Sequence, residues 1–257
     1  MEYLFRDTDI AARRLKVVAE VFADSTRTFL LDAGPSAPQL ALDLGCGPGY
    51  TTHLLADVLT CEHTAGLDNS EHFISLAQET GTGKVSFHLH DVTSLPFPVG
   101  PADLIYCRFL LTHLVDPCAV IPKWATQLRR KGLMLIQEVE WINTDNAAFT
   151  TYLRIVEAML AHQSNELYAG RLFADVDDAG ILNTRVSRVS TLQVTDRDAA
   201  TMFFPNMQSW KNHPFVRSNH SAALLQGLEE DLRVLTKEVS SESNIEWGLR
   251  EVVYERV

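Results

Sequence analysis

The first residues with evident chemistry are one carboxylate and three glycines. Asp43 is followed by Gly45, Gly47 and Gly49 in the pattern D-x-G-x-G-x-G. Glycines allow the backbone to bend sharply and a ligand to approach it closely. A helix that begins after such a bend offers free N–H groups and a positive dipole end, which suit a carboxylate or a phosphate equally well. The pattern therefore predicts a ligand-binding turn between a strand and a helix.

The spacing of the glycines discriminates between two kinds of ligand. The dinucleotide fingerprint is G-x-G-x-x-G, in which a pyrophosphate group lies over the helix start. This chain has G-x-G-x-G instead. The carboxylate of Asp43 would repel a pyrophosphate but could bind the ammonium group of an amino acid. The pattern favours a nucleoside that carries an amino acid, and the alternatives are a glycine-rich loop of an NAD enzyme and a plain turn.

A second carboxylate ends the next short apolar segment. Residues 64–68 predict a strand that ends at Asp68, and the following residues open a helix with Phe73 and Ile74 on one face. Asp68 lies roughly 20 residues beyond the glycines, where a carboxylate at a strand end can bind ribose hydroxyl groups. An ordinary helix N-cap is the alternative role for Asp68.

This series of acids and glycines resembles the class I S-adenosylmethionine (SAM) dependent methyltransferases, whose first motif reads D/E-x-G-x-G-x-G. Residues 84–92 read as a third strand. The resemblance implies that Asp91, near the end of that strand, binds the adenine amino group and that Val92 supplies a backbone donor. Asn69 stands where such enzymes often have an apolar residue that packs on adenine.

The segment from residue 102 to residue 117 resembles the strand-four region of the methyltransferases related to ubiquinone and menaquinone biosynthesis. That group often shows an arginine after the strand, then an apolar run, His-Leu and Asp-Pro. In an open parallel sheet this strand end borders the ligand crevice, so Arg108 and Phe109 are expected to line the cofactor pocket. His113 is a candidate general base, because an unperturbed imidazole accepts a proton at neutral pH. A structural hydrogen bond is the alternative role for His113.

An amphipathic helix is predicted near the start of the chain, where Tyr3 is followed by an apolar-periodic segment over residues 10–22. In similar enzymes such a helix covers SAM, and the resemblance implies that Arg14 meets the methionine carboxylate. A solvated surface arginine is the alternative. The full set of predicted cofactor residues is Arg14, Asp43, Gly45, Cys46, Gly47, Gly49, Asp68, Asn69, Asp91, Val92, Arg108 and Phe109.

A basic segment precedes the fifth apolar strand. Residues 129–131 are expected to end a helix, with Gly132 as its C-cap, and the strand follows up to residue 138. Glu138 and Glu140 lie at or beyond the strand end, where either could attract a cationic substrate or act as a base. Glu138 joins His113 as a candidate catalytic residue, and solvated charges are the alternative for both glutamates.

A metal site is not predicted. His88 and His90 lie on one face of the third strand, so a metal pair is conceivable. No partner with ligand spacing accompanies them, and strand-face histidines are usually packed or hydrogen-bonded.

The chain after the fifth strand is expected to bind the methyl acceptor. Residues 147–163 predict a helix, and residues 170–180 resemble the penultimate helix of the family, ending at Ala179 and Gly180. Residues 185–194 and 246–254 predict the sixth and seventh strands. The insertion from Asp196 to Ser243 is longer than a typical loop of roughly 2–6 residues and must be structured. Its apolar residues predict a lid over an apolar or aromatic acceptor. Packing of the insertion onto the domain or a dimer contact is the alternative role. These residues are Met202, Phe203, Phe204 and Trp210.

The predicted fold is a Rossmann-like α/β domain. It has a seven-stranded, mostly parallel sheet with an antiparallel last strand, helices on both faces and a helical lid. The expected divisions are an N-terminal helical cover (1–35), a SAM-binding core (36–195), the lid insertion (196–243) and the last core strand (244–257).

The composition of the chain limits the kinds of partner that it can bind. The net charge of −11 argues against a nucleic acid, because binding a polyanion normally needs a basic patch. No apolar stretch reaches the roughly 18 residues needed to span a bilayer, and no signal peptide is recognised. The four cysteines lack C-x-x-C spacing and indicate buried thiols in a reducing, cytoplasmic setting.

The predicted activity is methyl transfer from SAM to the oxygen or nitrogen atom of a small, apolar or aromatic metabolite. A homodimer remains open. A protein methyltransferase and a SAM-binding protein without catalysis are the two alternatives.

Overall fold

The computed structural model describes residues 9–173, 180–238 and 245–257, and a seven-stranded sheet forms its centre. The strands are β1 (Leu40–Leu44), β2 (His63–Asp68), β3 (Val85–Leu89), β4 (Ala102–Arg108), β5 (Leu128–Thr144), β6 (Leu182–Val194) and β7 (Ile245–Arg256). Their order across the sheet is β3-β2-β1-β4-β5-β7-β6. Neighbouring strands from β3 to β5 are parallel, and β7 is antiparallel to both β5 and β6. Three residues named in the predictions, Tyr3, Ala179 and Ser243, lie outside the described ranges.

Helices cover both faces of this sheet, which confirms the predicted fold class. Alternate residues of β4 point to opposite faces: Leu104 and Tyr106 pack with α2 and α3, whereas Ile105 and Cys107 pack with α5. The helices are α1 (Asp9–Val21), α2 (Ala23–Ala33), α3 (Tyr50–Leu59), α4 (Glu71–Gln78), α5 (Pro117–Ala125), α6 (Ala147–His162), α7 (Asp196–Trp210), α8 (Pro214–Asn219) and α9 (Ala222–Leu235), with short 3₁₀ helices at Leu111–His113 and Ala169–Phe173.

The start of β5 differs from the prediction. Helix α5 ends at Ala125, and residues 129–131 already belong to the strand, so these residues do not end a helix and Gly132 is not a helix cap. A β-carbon on Gly132 would lie 2.9 Å from the carbonyl oxygen of Arg129 and 3.1 Å from that of Ala102. The register between β4 and β5 also shifts between Ala102 and Leu104. Glycine is therefore required by the close approach of two strands at this irregularity.

The insertion forms helices that pack on α1 and α6. Met202, Phe203 and Trp210 are buried in one apolar cluster together with residues of α6. The ring of Phe203 stacks on Tyr152 of α6 with centroids 4.2 Å apart. Phe204 packs against the same cluster from a partly buried position. The aromatic residues of the insertion thus fill a core, which is the alternative that the sequence left open.

Candidate functional site

A cavity of about 580 Å³ lies at the carboxyl ends of β1, β2 and β4, where a parallel sheet of this kind binds ligands. One end is bounded by the acidic residues that follow the strands. The other end is bounded by α1, the 3₁₀ helix at Leu111–His113 and the end of α6. Its wall includes Leu15, Val18, Ala19, Asp43, Gly45, Cys46, Gly47, Pro48, Tyr50, Thr51, Asp68, Asn69, Phe73, His90, Asp91, Val92, Thr93, Arg108, Phe109, Leu110, His113, Leu114, Leu160, Gln163 and Asn165.

The three glycines of the turn have different neighbours. All three have positive φ angles, which are +69° for Gly45, +52° for Gly47 and +90° for Gly49. A β-carbon on Gly49 would lie 2.6 Å from the ring of Phe87, so this glycine is required by packing. A β-carbon on Gly47 would lie 3.4 Å from Leu15, a residue of the cavity wall. Gly45 and Gly47 line the cavity, whereas Gly49 begins α3 behind it.

Asp43 is a buried carboxyl group in the cavity wall. Its Oδ2 accepts a hydrogen bond of 2.7 Å from the Thr52 hydroxyl. Burial raises the pKa of Asp43 to about 7, and the Thr52 hydrogen bond and the charge of Arg108 only partly offset this effect. A cation bound beside Asp43 would favour its ionised form. The position therefore suits the ammonium group that the sequence predicts.

Asp68 connects the glycine turn to the start of α4. Its Oδ2 accepts a hydrogen bond of 2.9 Å from the Gly47 backbone N–H, and its Oδ1 accepts one of 2.9 Å from the N–H of Ser70. Each carboxylate oxygen can accept a further hydrogen bond, so Asp68 can hold the turn and also bind hydroxyl groups of a ligand. Asn69, the next residue, also lines the cavity.

Asp91 and Val92 lie just after β3, which ends earlier than predicted. Asp91 Oδ1 accepts hydrogen bonds from the backbone N–H and the hydroxyl of Thr93, at 2.8 and 2.7 Å. These bonds lower the pKa of Asp91, so its carboxylate is ionised at neutral pH. Both residues line the cavity.

Arg108 is held by hydroxyl groups of two helices. Its Nη1 donates to Thr26 Oγ1 at 2.8 Å, and its Nη2 donates to Thr51 Oγ1 at 3.0 Å. The guanidinium group also lies 5.4 Å from the ring centroid of Phe109. Arg108 and Phe109 both line the cavity, as the sequence predicts.

His113 lines the cavity from the 3₁₀ helix at Leu111–His113. Burial and the nearby charge of Arg14 lower its pKa to about 4. The ring is therefore neutral at physiological pH and can accept a hydrogen bond, but it is a weaker base than an unperturbed imidazole. Arg14 lies on α1, half-buried and close enough for its charge to act on His113.

Glu138 and Glu140 are both occupied by protein partners. Glu138 Oε1 accepts hydrogen bonds of 2.8 Å from the backbone N–H groups of Leu110 and Leu111. Burial raises the pKa of Glu138 to about 8. Glu140 forms a two-pronged ion pair with Arg250, with N to O distances of 2.8 and 2.6 Å. Within the described part of the chain, the cavity wall includes Leu110 but neither glutamate. Through its bonds to Leu110 and Leu111, Glu138 supports the segment that carries His113.

Three wall residues near the end of α6 were not predicted. Leu160, Gln163 and Asn165 line the cavity opposite the glycine turn. Asn165 Nδ2 donates to the carbonyl oxygen of Thr112 at 3.1 Å, which fixes the side-chain amide. Its Oδ1 is buried and accepts no hydrogen bond from the described residues. No local sequence pattern identifies these residues, because only the tertiary packing of α6 brings them to the cavity.

The strand-face histidines make ordinary hydrogen bonds. His88 Nε2 lies 3.1 Å from Ser86 Oγ, and His90 Nε2 lies 2.9 Å from the carbonyl oxygen of Ser94. Among the residues that the structure describes, no group of three or more His, Cys, Asp or Glu side chains could hold a metal ion. None of the described helices is long and apolar enough to cross a membrane.

Known proteins are similar to this chain in sequence and in fold. A family model described as a methyltransferase domain matches residues 39–191. Trans-aconitate 2-methyltransferase of Methylobacterium radiotolerans is 33% identical over 125 residues, which cover 49% of this chain and 45% of that protein. Phosphoethanolamine N-methyltransferase 1 of Arabidopsis thaliana is 29% identical over 135 residues, which cover 51% of this chain and 27% of that protein. The match therefore spans less than half the length of either curated relative.

The fold is also found among solved structures. Coclaurine N-methyltransferase bound to N-methylheliamine and S-adenosylhomocysteine superposes with a TM-score of 0.59. The sequences are 15% identical, and the superposition covers 91% of this chain and 72% of that one. At this identity the similarity concerns the fold alone.

Proposed function

Because this chain belongs to the methyltransferase domain family, we propose that it transfers a methyl group from SAM to an oxygen or nitrogen atom of a small molecule. The observation that carries the proposal is one cavity with two chemically different ends. Acids and a glycine turn bound one end, and the rest of the wall has mainly apolar side chains with a few uncharged polar groups and the charged Arg108, Asp116 and Lys123. Such a mixture is typical of small-molecule sites.

Family membership confirms SAM as the cofactor. The residues present fit it, because the glycine turn leaves room for a ligand and Asp43 is a buried carboxyl group that a cation would stabilise. We assign the ammonium group to Asp43, the ribose hydroxyl groups to Asp68 and the adenine amino group to Asp91. The predicted roles of Arg14, Cys46, Asn69, Val92, Arg108 and Phe109 in holding the cofactor belong to the same proposal.

When bound, SAM supplies a methyl group that is activated by a sulfonium charge. The protein then has to hold the acceptor in line, exclude water and accept a proton. Leu15 and Val18 of α1 line the cavity, and their apolar side chains would exclude water from the bound acceptor. His113 accepts a hydrogen bond from the acceptor's O–H or N–H group, orients its lone pair and takes up the proton that this group releases. We assign Glu138 a positioning role, since it binds two N–H groups of the loop that carries His113.

The acceptor end of the cavity is mainly apolar. Val18, Phe109 and Leu160 contribute apolar surface, and His113 and Asn165 contribute hydrogen-bond acceptors. This lining supports a small, partly apolar or aromatic acceptor that carries a hydroxyl or amino group. The aromatic residues of the insertion do not support this choice of acceptor, because they are packed in the core around Tyr152.

The alternatives are a protein acceptor and SAM binding without catalysis. A cavity of about 580 Å³ fits a small molecule better than a protein acceptor, since a polypeptide needs an open groove. Three further statements stay predictions: a closer relation to the ubiquinone and menaquinone biosynthesis enzymes, a homodimer and a cytoplasmic location.

Calorimetry and mass spectrometry test the proposal. S-adenosylhomocysteine should bind, and Asp68→Ala should weaken its binding by about 1–3 kcal/mol, because the ribose hydroxyl groups lose a charged partner. Incubation with methyl-labelled SAM and a metabolite extract should label a small molecule. Binding of NAD without a response to S-adenosylhomocysteine would contradict the proposal.

His113 is tested with the acceptor that this assay identifies. His113→Ala should lower the methyl-transfer rate by about 10²-fold, near the lower limit for acid–base groups, and leave affinity for S-adenosylhomocysteine nearly unchanged. His113→Gln keeps a hydrogen-bond acceptor and should retain more activity. An equal loss of cofactor binding would instead assign His113 to the cofactor end.

A further inference from the structure

A row of polar side chains crosses four neighbouring strands of the sheet on the face that α2 covers. Arg108 of β4 is paired in register with Gln137 of β5, Gln137 with Glu251 of β7, and Glu251 with Arg188 of β6. Gln137 and Glu251 are almost completely buried, with exposed fractions of 0% and 2%. The row runs from the cavity to the edge of the sheet, so it joins a ligand site to the protein surface.

From Arg108 to Glu251, the hydrogen bonds of this row all run in one direction. Arg108 Nη1 donates to Thr26 Oγ1 at 2.8 Å, and the Thr26 hydroxyl donates to Gln137 Oε1 at 2.9 Å. Gln137 Nε2 then donates to Glu251 Oε1 at 3.2 Å. Arg188 Nε donates to the other carboxylate oxygen, Oε2, at 2.7 Å. Because all donors between Arg108 and Glu251 point toward the same negative charge, each bond polarises the next.

The orientation of Gln137 is determined by this chain. Its Oε1 also accepts a hydrogen bond of 3.2 Å from the Tyr106 hydroxyl, and its Nε2 also donates to Ser25 Oγ at 3.1 Å. Reversal of the amide would direct the Gln137 oxygen at the Glu251 carboxylate. The Thr26 hydroxyl must therefore donate to Gln137, which leaves its oxygen lone pairs for Arg108.

Stability alone does not explain a buried polar row. Well-packed apolar residues of similar volume are often as stable as a buried ionic network. The row does, however, fix the guanidinium group of Arg108 beside Asp43, so that a cationic and an acidic side chain face the same cavity. A zwitterionic amino-acid group has the complementary pair of charges.

We propose that Thr26 and Gln137 are positioning residues that hold Arg108 for the carboxylate of the cofactor's amino-acid group. The inference rests on the proposed SAM site. Arg108 uses two N–H donors for Thr26 and Thr51, and the remaining donors of its guanidinium group serve the carboxylate. Glu251, Arg188 and Asp32 fix the far end of the row through ion pairs of 2.7 and 3.0 Å.

Two ligands distinguish positioning from a general structural effect. S-adenosylhomocysteine carries the amino-acid group, whereas 5′-methylthioadenosine carries the adenosine and the sulfur without it. Thr26→Val and Gln137→Met keep the side-chain size but remove the hydrogen bonds of the row. Both substitutions should weaken S-adenosylhomocysteine about tenfold in calorimetry and change 5′-methylthioadenosine less than about twofold. Thr26→Ser keeps the hydroxyl and should bind like the unmodified protein.

Gln193→Met is the matched control. Gln193 donates to Glu246 at 2.8 Å between the same two outer strands, β6 and β7, but it is exposed and away from the row. It should leave both affinities unchanged. An equal loss of both ligands, or no loss of either, in Thr26→Val and Gln137→Met would overturn the positioning role. Failure of the unmodified protein to bind S-adenosylhomocysteine would instead overturn the proposed SAM site.

Discussion

Asp43 links ligand binding to pH. Its pKa of about 7 means that a large fraction is protonated at pH 6 and little at pH 8. An ammonium group binds only the ionised carboxylate well, so binding must displace the proton at low pH. Affinity for S-adenosylhomocysteine should therefore rise by about tenfold between pH 6 and pH 8. Calorimetric titrations across this range measure the rise.

The control for Asp43 is a variant that cannot titrate. Asp43→Asn can still accept the Thr52 hydrogen bond, so it should fold, bind S-adenosylhomocysteine weakly and show a flat profile over the same range. The ligand 5′-methylthioadenosine should show no comparable rise with the unmodified protein. A rise that persists in Asp43→Asn would mean that another group titrates.

Two glycines of the turn should respond differently to the same substitution. Gly49→Ala places a methyl group 2.6 Å from the Phe87 ring at a φ of +90°, so it should lower the free energy of unfolding by about 1–3 kcal/mol. Gly47→Ala meets Leu15 only at 3.4 Å and should cost about 1 kcal/mol of stability.

Gly47→Ala nevertheless adds a methyl group at the cavity wall, so it should weaken S-adenosylhomocysteine more than Gly49→Ala does in the protein that remains folded. Thermal unfolding and calorimetry separate the two effects. Identical changes in both variants would show that the turn responds as one unit.

At the scale of elements, the proposed cover of the cavity is α1, whose Leu15, Val18 and Ala19 line the wall. Leu15 lies over Gly47, and its neighbour Lys16 is exposed on the same helix in a 3.9 Å ion pair with Glu20. Leu15→Ala removes part of the cover, so bound S-adenosylhomocysteine should dissociate several-fold faster. Lys16→Ala should not change this rate. Stopped-flow displacement measures the rate, and equal effects of the two substitutions would show that Leu15 is not part of the cover.

The elements of the cofactor half could be predicted because their signals are local. β1 and β2 are short and mostly buried and lead into the glycine turn and Asp68, and Asp91 follows closely after β3, so the three acids were found in the sequence. The start of β5 was predicted incorrectly, because a basic run before a glycine is also typical of a helix end. Aromatic residues are typical of a lid and of a core alike, so the composition of the insertion could not show which of the two it forms. Asn165 reaches the cavity through the packing of α6, which leaves no local pattern.

At the scale of the whole molecule, two buried carboxyl groups set the response of stability to pH. The folded-state pKa values of Asp43 and Glu138 are raised to about 7 and about 8, so between the ordinary carboxyl pKa of about 4 and these values the folded state binds more protons than the unfolded state. Stability therefore falls as pH rises toward 8. His113, whose pKa is lowered to about 4, has the opposite sign and raises stability between pH 4 and pH 6.5.

The melting temperature should thus fall between pH 6.5 and pH 8 and level off above pH 8. Each unit by which a pKa is raised corresponds to about 1.4 kcal/mol of free energy once the group is fully ionised. Glu138→Gln keeps an acceptor for Leu110 and Leu111 and should reduce the fall. Calorimetric melting at several pH values checks this, and an unchanged slope in Glu138→Gln would show that Glu138 is ionised throughout.

The contact between Asn165 and Thr112 has a consequence for how new activities could arise in this scaffold. Residues from the first half of the chain line the cofactor end of the cavity. Leu160, Gln163 and Asn165, at the end of α6, line another part of the wall. That segment docks on the Leu111–His113 turn through two hydrogen bonds. The Thr112 hydroxyl donates to the Glu166 carbonyl oxygen, which any sequence provides, whereas the Asn165 amide donates to the Thr112 carbonyl oxygen, so a replacement segment must keep an asparagine there. A chimera that exchanges residues 160–166 for those of a homologue would inherit a different acceptor preference while keeping its cofactor chemistry. The acceptor preference of the enzyme can then change through replacement of this segment of seven residues.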